Sequence, residues 1–324
     1  MKAEASQFDI HQTITDQIVT AIEAGVADWE MPWRRAGGAL HRPKNVLTNN
    51  AYQGVNVLSL WMAAERQQFS APIWGTYKQW QEKGAQVRKG ERGSPIVFYK
   101  DLDITRTDEA TGEASADKVM FARASWVFNV NQVDGFELPE LAPPTEDRVE
   151  LIEHVEMLIH ATGADIREGG DRAYYRPTED YCAVPDRARF LGTDTSTPTD
   201  AWYATKLHEL VHWTGPKHRL DRDLANRFGS EAYAMEELVA ELGSAFLCAD
   251  LGIATAPRPD HASYIAHWLK VLKDDKKAVF TAASQADKAA RYLLAFGELT
   301  PPSRPTPEEA SLAQSRPDPH RRPT

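Results

Sequence analysis

Cysteine is scarce in this chain: Cys182 and Cys248 are the only two among 324 residues. Two such thiols cannot build a disulfide framework, and a reducing, cytoplasmic setting is the default expectation. No apolar run approaches the roughly 20 residues that a spanning helix needs, so no transmembrane helix and no membrane partner are expected. No signal peptide is expected either, because Glu4, Asp9, Asp16 and Glu23 interrupt the apolar positions of the first thirty residues. There is no internal repeat, and no zinc finger or other base-reading motif, so strong sequence specificity toward DNA is not expected.

Charge is plentiful but unevenly placed. The net charge is −10, yet residues 31–100 hold eleven Lys/Arg against three Asp/Glu, or +8, which leaves −18 for the rest. A basic segment within an acidic protein suits a polyanionic partner for that segment alone; a solvated basic face with no partner is the plain alternative.

Ile10, Ile14, Ile18 and Ile22 recur at a spacing of four and predict an amphipathic helix over 8–27. A second, mostly buried helix follows in GVNVLSLWMAAERQQF, and a third after IWGT, ended by Gly84. PIVFYK and FARASWVFNVNQVDG read as strands, joined by a long exposed hairpin connection over 101–118. Residues 137–147, ELPELAPPTED, read as a linker. Beyond it come a helix from Arg148, short strands around Pro177 and Pro185, a helix ended by Gly215, another from Ser230 to Gly252, and two final helices. From Thr300 the tail holds seven prolines in 25 residues and is expected to be disordered. The pattern predicts an α+β protein: a small mixed N-terminal domain over 1–136, the linker, a mainly helical domain with a small sheet over 148–299, and the tail over 300–324.

The chemistry concentrates in KLHELVHWTGPKHRLDR, Lys206 to Arg222. Residues four apart share one helix face, so His208 and His212 can both turn an imidazole toward one ion. Glu209 beside them can take a proton from a water activated by that ion, the arrangement of H-E-x-x-H metallopeptidases. Chance would produce this motif in roughly a few per cent of chains of such composition. An amphipathic helix with two surface histidines is the bland alternative.

The third ligand has two candidates. His218 stands at H-E-x-x-H-x-x-G-x-x-H spacing, with Met235 able to pass as a Met-turn residue. Its surroundings, PKHRLDRDLANRFG, are strongly charged and read as an exposed loop. Glu237 and Glu241 lie four apart in a helix otherwise built from Leu238, Val239, Leu242, Ala245 and Phe246. Two buried carboxylates are costly without partners, and a metal and a ligand histidine are suitable ones. In that reading Glu237 binds the ion, Glu241 accepts an imidazole N–H, and Glu236 faces solvent.

LHELVHWTG, LDR, FGSEAYAMEELVAELGSAFL, YQGVNVLSLWMAA and WGTYKQWQEKGAQVRKGERGSPIVFYK together resemble the ArdC-type antirestriction proteins of conjugative plasmids, over about residues 8–299. The resemblance implies a single-stranded-DNA-binding domain followed by a zincin-like metallopeptidase domain similar to SprT-type proteases. It also implies protection of incoming conjugative DNA from restriction enzymes and is compatible with delivery of the protein to the recipient cell. In that family a histidine usually follows the Gly of HWTG directly; here Pro216 stands there, and the place of His218 usually holds a small polar residue. The resemblance therefore implies His208, His212 and Glu237 as ligands of one zinc ion, or of another divalent metal such as Mn2+, with Glu209 catalytic.

Residues 29–100 mix aromatics with cations, the materials of a single-strand surface: rings stack unpaired bases while Lys/Arg track phosphates. Trp29, Trp33, Arg34 and Arg35 belong to this mixture; Trp61 and Phe98 are expected to be core. The preferred contacts are Trp74, Tyr77, Lys78, Arg88, Lys89 and Arg92, with VRKGERG as a basic hinged turn. The expected partners are single-stranded DNA without strong sequence preference and a protein substrate or restriction enzyme. Two functions compete: a peptidase tethered by DNA, and a DNA-shielding protein whose metal is idle or structural. A nuclease fits less well, since two-metal phosphodiester cleavage needs more carboxylates.

Overall fold

The computed structural model describes residues 9–25, 41–107, 114–136, 148–190, 197–222, 231–253 and 262–298. The linker over 137–147, the tail over 300–324, and Trp29, Trp33, Arg34, Arg35 and Ser230 lie outside the described residues. Helices and small sheets mix, giving the expected α+β class.

The isoleucine stripe forms α1 (Ile10–Gly25), and all four isoleucines are at most 5% exposed. They pack between α2 (Val55–Gln67) and a C-terminal helix described below. Four strands form the first sheet: β1 (Lys44–Asn45), β2 (Ile73–Gly75), β4 (Ser94–Thr107) and β5 (Ala114–Asn129), in the order β1-β2-β5-β4. Between them α3 (Tyr77–Glu82) starts on a reciprocal cap between Thr76 and Gln79. A separate pair joins β3 (Gln86–Val87) to β6 (Val133–Asp134).

The connection expected over 101–118 is mostly strand instead. β4 and β5 stay in antiparallel register from Ser94 opposite Val127 out to Thr107 opposite Ala114. Ile104, Thr105 and Thr107 are β-branched, and ladder pairing satisfies backbone groups that polar composition alone would leave to solvent.

The second half begins with α4 (Arg148–Ala161), followed by β7 (Asp165–Glu168), β8 (Tyr174–Arg176) and β9 (Tyr181–Val184) in the order β7-β9-β8. Then come α5 (Pro198–Trp213), α6 (Glu231–Leu251), α7 (Ala262–Asp274) and α8 (Ala278–Glu298). Thr197 caps α5 in a reciprocal bond with Asp200, and Pro198 fills the first turn, where no donor is needed. Ala282, Ala283, Ala286, Ala289 and Ala290 are fully buried on α8, which lets α6 lie close against it. Gly243 does the same between α5 and α6, for a Cβ there would stand 2.8 Å from Val211 Cγ2.

One apolar core runs through both halves, from Ile14, Ile18 and Trp61 to Leu242, Phe246 and Ala286. The helix on the far side of α1 is α7. Buried Arg42 joins the halves by pairing with Asp287 at 2.9 Å and Asp250 at 3.2 Å, its guanidinium 4.5 Å from the Phe246 ring centroid. A smaller core gathers Ala71, Trp80, Ala85, Val87, Val130 and Val133 under the basic segment.

Candidate metal centre

α5 carries His208 and His212 one turn apart, their ring centroids 4.9 Å apart. α6 brings Glu237 between them: Oε2 is 3.6 Å from His208 Nε2, and Oε1 is 3.7 Å from His212 Nε2. One ligand atom from each of these three residues lies within 4.8 Å of the others. Donors around a tetrahedral ion with bonds near 2.1 Å stand about 3.4 Å apart, so this two-imidazole, one-carboxylate set fits such an ion. All three side chains are nearly buried, and Glu209 next to His208 is 2% exposed.

The electrostatics favour charge separation across the cluster. Burial opposes ionisation of Glu237, yet the facing His208 and His212 imidazoles hold its carboxyl far below the usual range. Burial likewise opposes the His212 cation, but the hydrogen bond to Glu236 and the facing Glu237 carboxylate prevail and raise its pKa to about 10.

Around this set the expectations divide. Glu241 is fully buried on α6, with Oε2 3.8 Å from His208 Nδ1, just beyond direct hydrogen-bond range. Glu236, expected at the surface, is buried instead. Its Oε1 lies 3.1 Å from His212 Nδ1, and Arg222 donates to both its oxygens, from Nη2 at 2.9 Å and Nε at 3.0 Å. A buried cation and an imidazole compensate the charge that would otherwise keep Glu236 in water. Arg222 was missed because only the tertiary return of the loop brings it to α6.

Gly215 begins that return: Arg222 N–H donates to the Gly215 carbonyl at 2.7 Å, and Leu220 N–H to that of Thr214 at 3.0 Å. The turn sends Arg219 and Arg222 inward and His218 outward. Arg219 pairs with Asp180 and lies 4.0 Å from the Trp213 ring centroid. His218 is 66% exposed, 4.0 Å from Asp180, and outside the three-ligand cluster.

The basic segment also needs correction. Trp74 is 1% exposed, packed edge-to-face on Phe69, because β2 is an interior strand; it offers no ring to a passing base. Arg88 is exposed as expected, its side chain to 42%, and it also pairs with Glu91, Asp134 and the Asn131 and Val133 carbonyls. Tyr77, Lys78, Lys89 and Arg92 are exposed as expected, Lys78 to 85%. Trp61 is core, whereas Phe98 is half exposed on β4. Trp126, which the sequence reading passed over, is also about half exposed. It alternates with Phe128 on one face of β5, and Phe128 meets Tyr77 edge-to-face with centroids 6.5 Å apart. Gly93 makes room for this row, since a Cβ there would stand 2.9 Å from Trp126 Cβ. Among the described residues no helix is long and apolar enough to cross a membrane.

Two family models match the chain. That of the N-terminal domain of anti-restriction factor ArdC covers residues 8–128, and that of a zincin-like metallopeptidase covers 153–285. An uncharacterized protein, y4eC, of Sinorhizobium fredii is 49% identical over 288 residues, which is 88% of this chain and 91% of that protein. The DNA primase TraC of Escherichia coli is 41% identical over 303 residues, but this chain spans only 27% of its length. The crystal structure of metal-free ArdC from plasmid R388 superposes with a TM-score of 0.72 at 39% identity, covering 91% of this chain and 100% of that one. Its Mn(II)-bound structure superposes at 0.69, also at 39% identity, covering 90% of this chain and 98% of that one.

Proposed function

Because the chain belongs to the family of the antirestriction protein ArdC, we propose that it is a metal-dependent peptidase tethered by single-stranded DNA. Its division of labour follows the two halves: 1–136 holds DNA, 148–299 carries the metal, 137–147 links them and 300–324 is a tail. The observation that carries this reading is the cluster of His208, His212 and Glu237 with Glu209 alongside. A purely structural zinc site is usually closed by four Cys/His ligands and has no use for an adjacent glutamate. Zinc suits the donor set, and the Mn(II) bound by the R388 relative makes manganese a second candidate.

In this reading His208, His212 and Glu237 hold the ion. When bound, the ion supplies Lewis acidity toward a water molecule and a peptide carbonyl. Glu209 takes the proton of the attacking water and passes it to the departing amide nitrogen. Glu236 accepts on the Nδ1 side of His212 and fixes which of its nitrogens faces the ion, and Glu241 stands on the Nδ1 side of His208. Burial of the cluster limits competing water and strengthens each electrostatic contact.

Tyr77, Phe128 and Trp126 form the stacking row, and Lys78, Lys89 and Arg92 follow the phosphates. The exposure of this face favours a second reading, in which the protein shields DNA by occupancy and the metal site is idle or structural. The protein would act in a bacterial cytoplasm on DNA arriving by conjugation, with a restriction enzyme or another protein as substrate.

One comparison separates the readings. Proteolysis and protection from restriction are measured for Glu209→Gln and for a chain with Lys78, Lys89 and Arg92 neutralised. Both variants are expected to lose protection, and Glu209→Gln to lose hydrolysis by about 10²- to 10⁴-fold while still binding metal. Full protection by Glu209→Gln, with loss only in the neutralised chain, would leave shielding as the function.

A further inference from the structure

Glu236 and Glu237 are neighbours on α6, and both carboxylates reach His212. By residue type either could be the third ligand. Their surroundings differ in one respect: Glu236 lies in the fork of a guanidinium, with Arg222 Nε and Nη2 on its two oxygens, while Glu237 faces the Nε2 atoms of both imidazoles.

That guanidinium is itself anchored. The Arg222 side chain is 5% exposed, and it donates to Thr214 Oγ1 at 2.8 Å and to the Val211 carbonyl at 2.6 Å. Both acceptors sit at the C-terminal end of α5, the negative end of the helix dipole, which favours a cation. A single side chain thus ties the end of the helix bearing both histidines to the start of the helix bearing both glutamates.

We propose that Arg222 is a positioning residue that decides which of the two glutamates is the ligand. It commits both Glu236 oxygens, so Glu236 accepts from His212 Nδ1 and does not turn toward the ion. Nε2 of His212 is then presented beside Glu237. Releasing Glu236 from this fork would strand a buried guanidinium, and a buried charge without its partner is strongly unfavourable. The role rests on the reading of His208, His212 and Glu237 as metal ligands.

The test uses the full chain, stripped of metal and reloaded with Zn(II) or Co(II), as wild type, Arg222→Met, Arg222→Lys, Glu236→Gln and the Glu236→Gln/Arg222→Met double variant. Zinc affinity is measured by competition with a chromophoric chelator, and ligand geometry by the visible spectrum of the cobalt form. Arg222→Met is expected to weaken zinc binding by about 10- to 100-fold and to change the cobalt spectrum. Arg222→Lys should restore part of the affinity. The double variant should bind no worse than the weaker single variant, because both changes remove one shared contact.

Unchanged affinity and spectrum in Arg222→Met, or losses that add in the double variant, overturn the role. If Arg222→Met fails to fold by circular dichroism, Arg222→Lys and Glu236→Gln decide, and wild-type affinity in both overturns it. A wild-type chain that binds no ion overturns the metal-site reading together with this role. Variants that bind as the wild type does overturn this role alone.

Discussion

The metal cluster and the basic face differ in where their working atoms lie. His208, Glu209 and His212 occupy one turn of one helix, and every carboxylate near them is largely buried. Tyr77, Lys78, Lys89, Arg92 and Trp126 come from a short helix, a turn and a long strand, and all are exposed. The first arrangement is fixed by the helical repeat, so spacing alone predicts it. The second depends on which strand is interior and which face of a ribbon points outward, and composition carries neither fact.

The largest effect that would break this contrast lies at the third ligand. Glu237→Ala is expected to abolish stoichiometric metal binding, while His218→Ala retains it, as measured by metal content after dialysis. The opposite result would move the site into the exposed turn. The next effect separates burial from contact in the basic segment. Trp74→Ala should cost about 3–5 kcal/mol of stability in urea unfolding, the range for emptying a buried Trp site. Tyr77→Ala should leave stability nearly unchanged and weaken single-strand binding by about 1–3 kcal/mol, the range for one stacked base. Neutralising Lys78, Lys89 and Arg92 together should reduce the slope of log affinity against log salt by about 2.

The smallest expected effect is in pH. The hydrogen bond to Glu236 and the facing Glu237 carboxylate overcome burial and raise His212 from 6.5 to about 10 in the metal-free protein. A raised folded-state pKa contributes stability that is fully present below about 6.5 and is lost as pH climbs through about 10. The urea midpoint of the metal-free chain is therefore expected to fall over that window, and to fall less in Glu236→Gln. A midpoint that rises with pH there would contradict the His212–glutamate pairing.

Legibility followed the range of the interaction. Ile10 to Ile22, the HELVH turn and the two final helices were readable because each is a local repeat. Glu237 was reachable by one further step, the cost of leaving paired carboxylates on an apolar helix. Glu236 was misjudged because adjacent helical residues point about 100° apart, and nothing local told which side Arg222 would cover. Trp74 was misjudged for a similar reason: a three-residue strand announces neither its neighbours nor its place inside the sheet. The 101–118 segment reads as a hairpin connection by polarity, and only cross-strand pairing makes 101–107 and 114–118 a ladder.

Gly243 has a consequence for this site beyond packing. Its missing side chain lets α6 lie against Val211 of α5, one residue from His212, where a Cβ would stand 2.8 Å from Val211 Cγ2. The two rods carry different members of the proposed ligand set, so in that reading their separation also gauges the ion seat. Widening that gap by the few tenths of an ångström that a methyl group demands is comparable to the difference between roughly 2.1 Å and 2.3 Å metal–ligand bonds, which separates small from large divalent ions. A glycine with no chemistry of its own thus works as the calibration mark of the instrument.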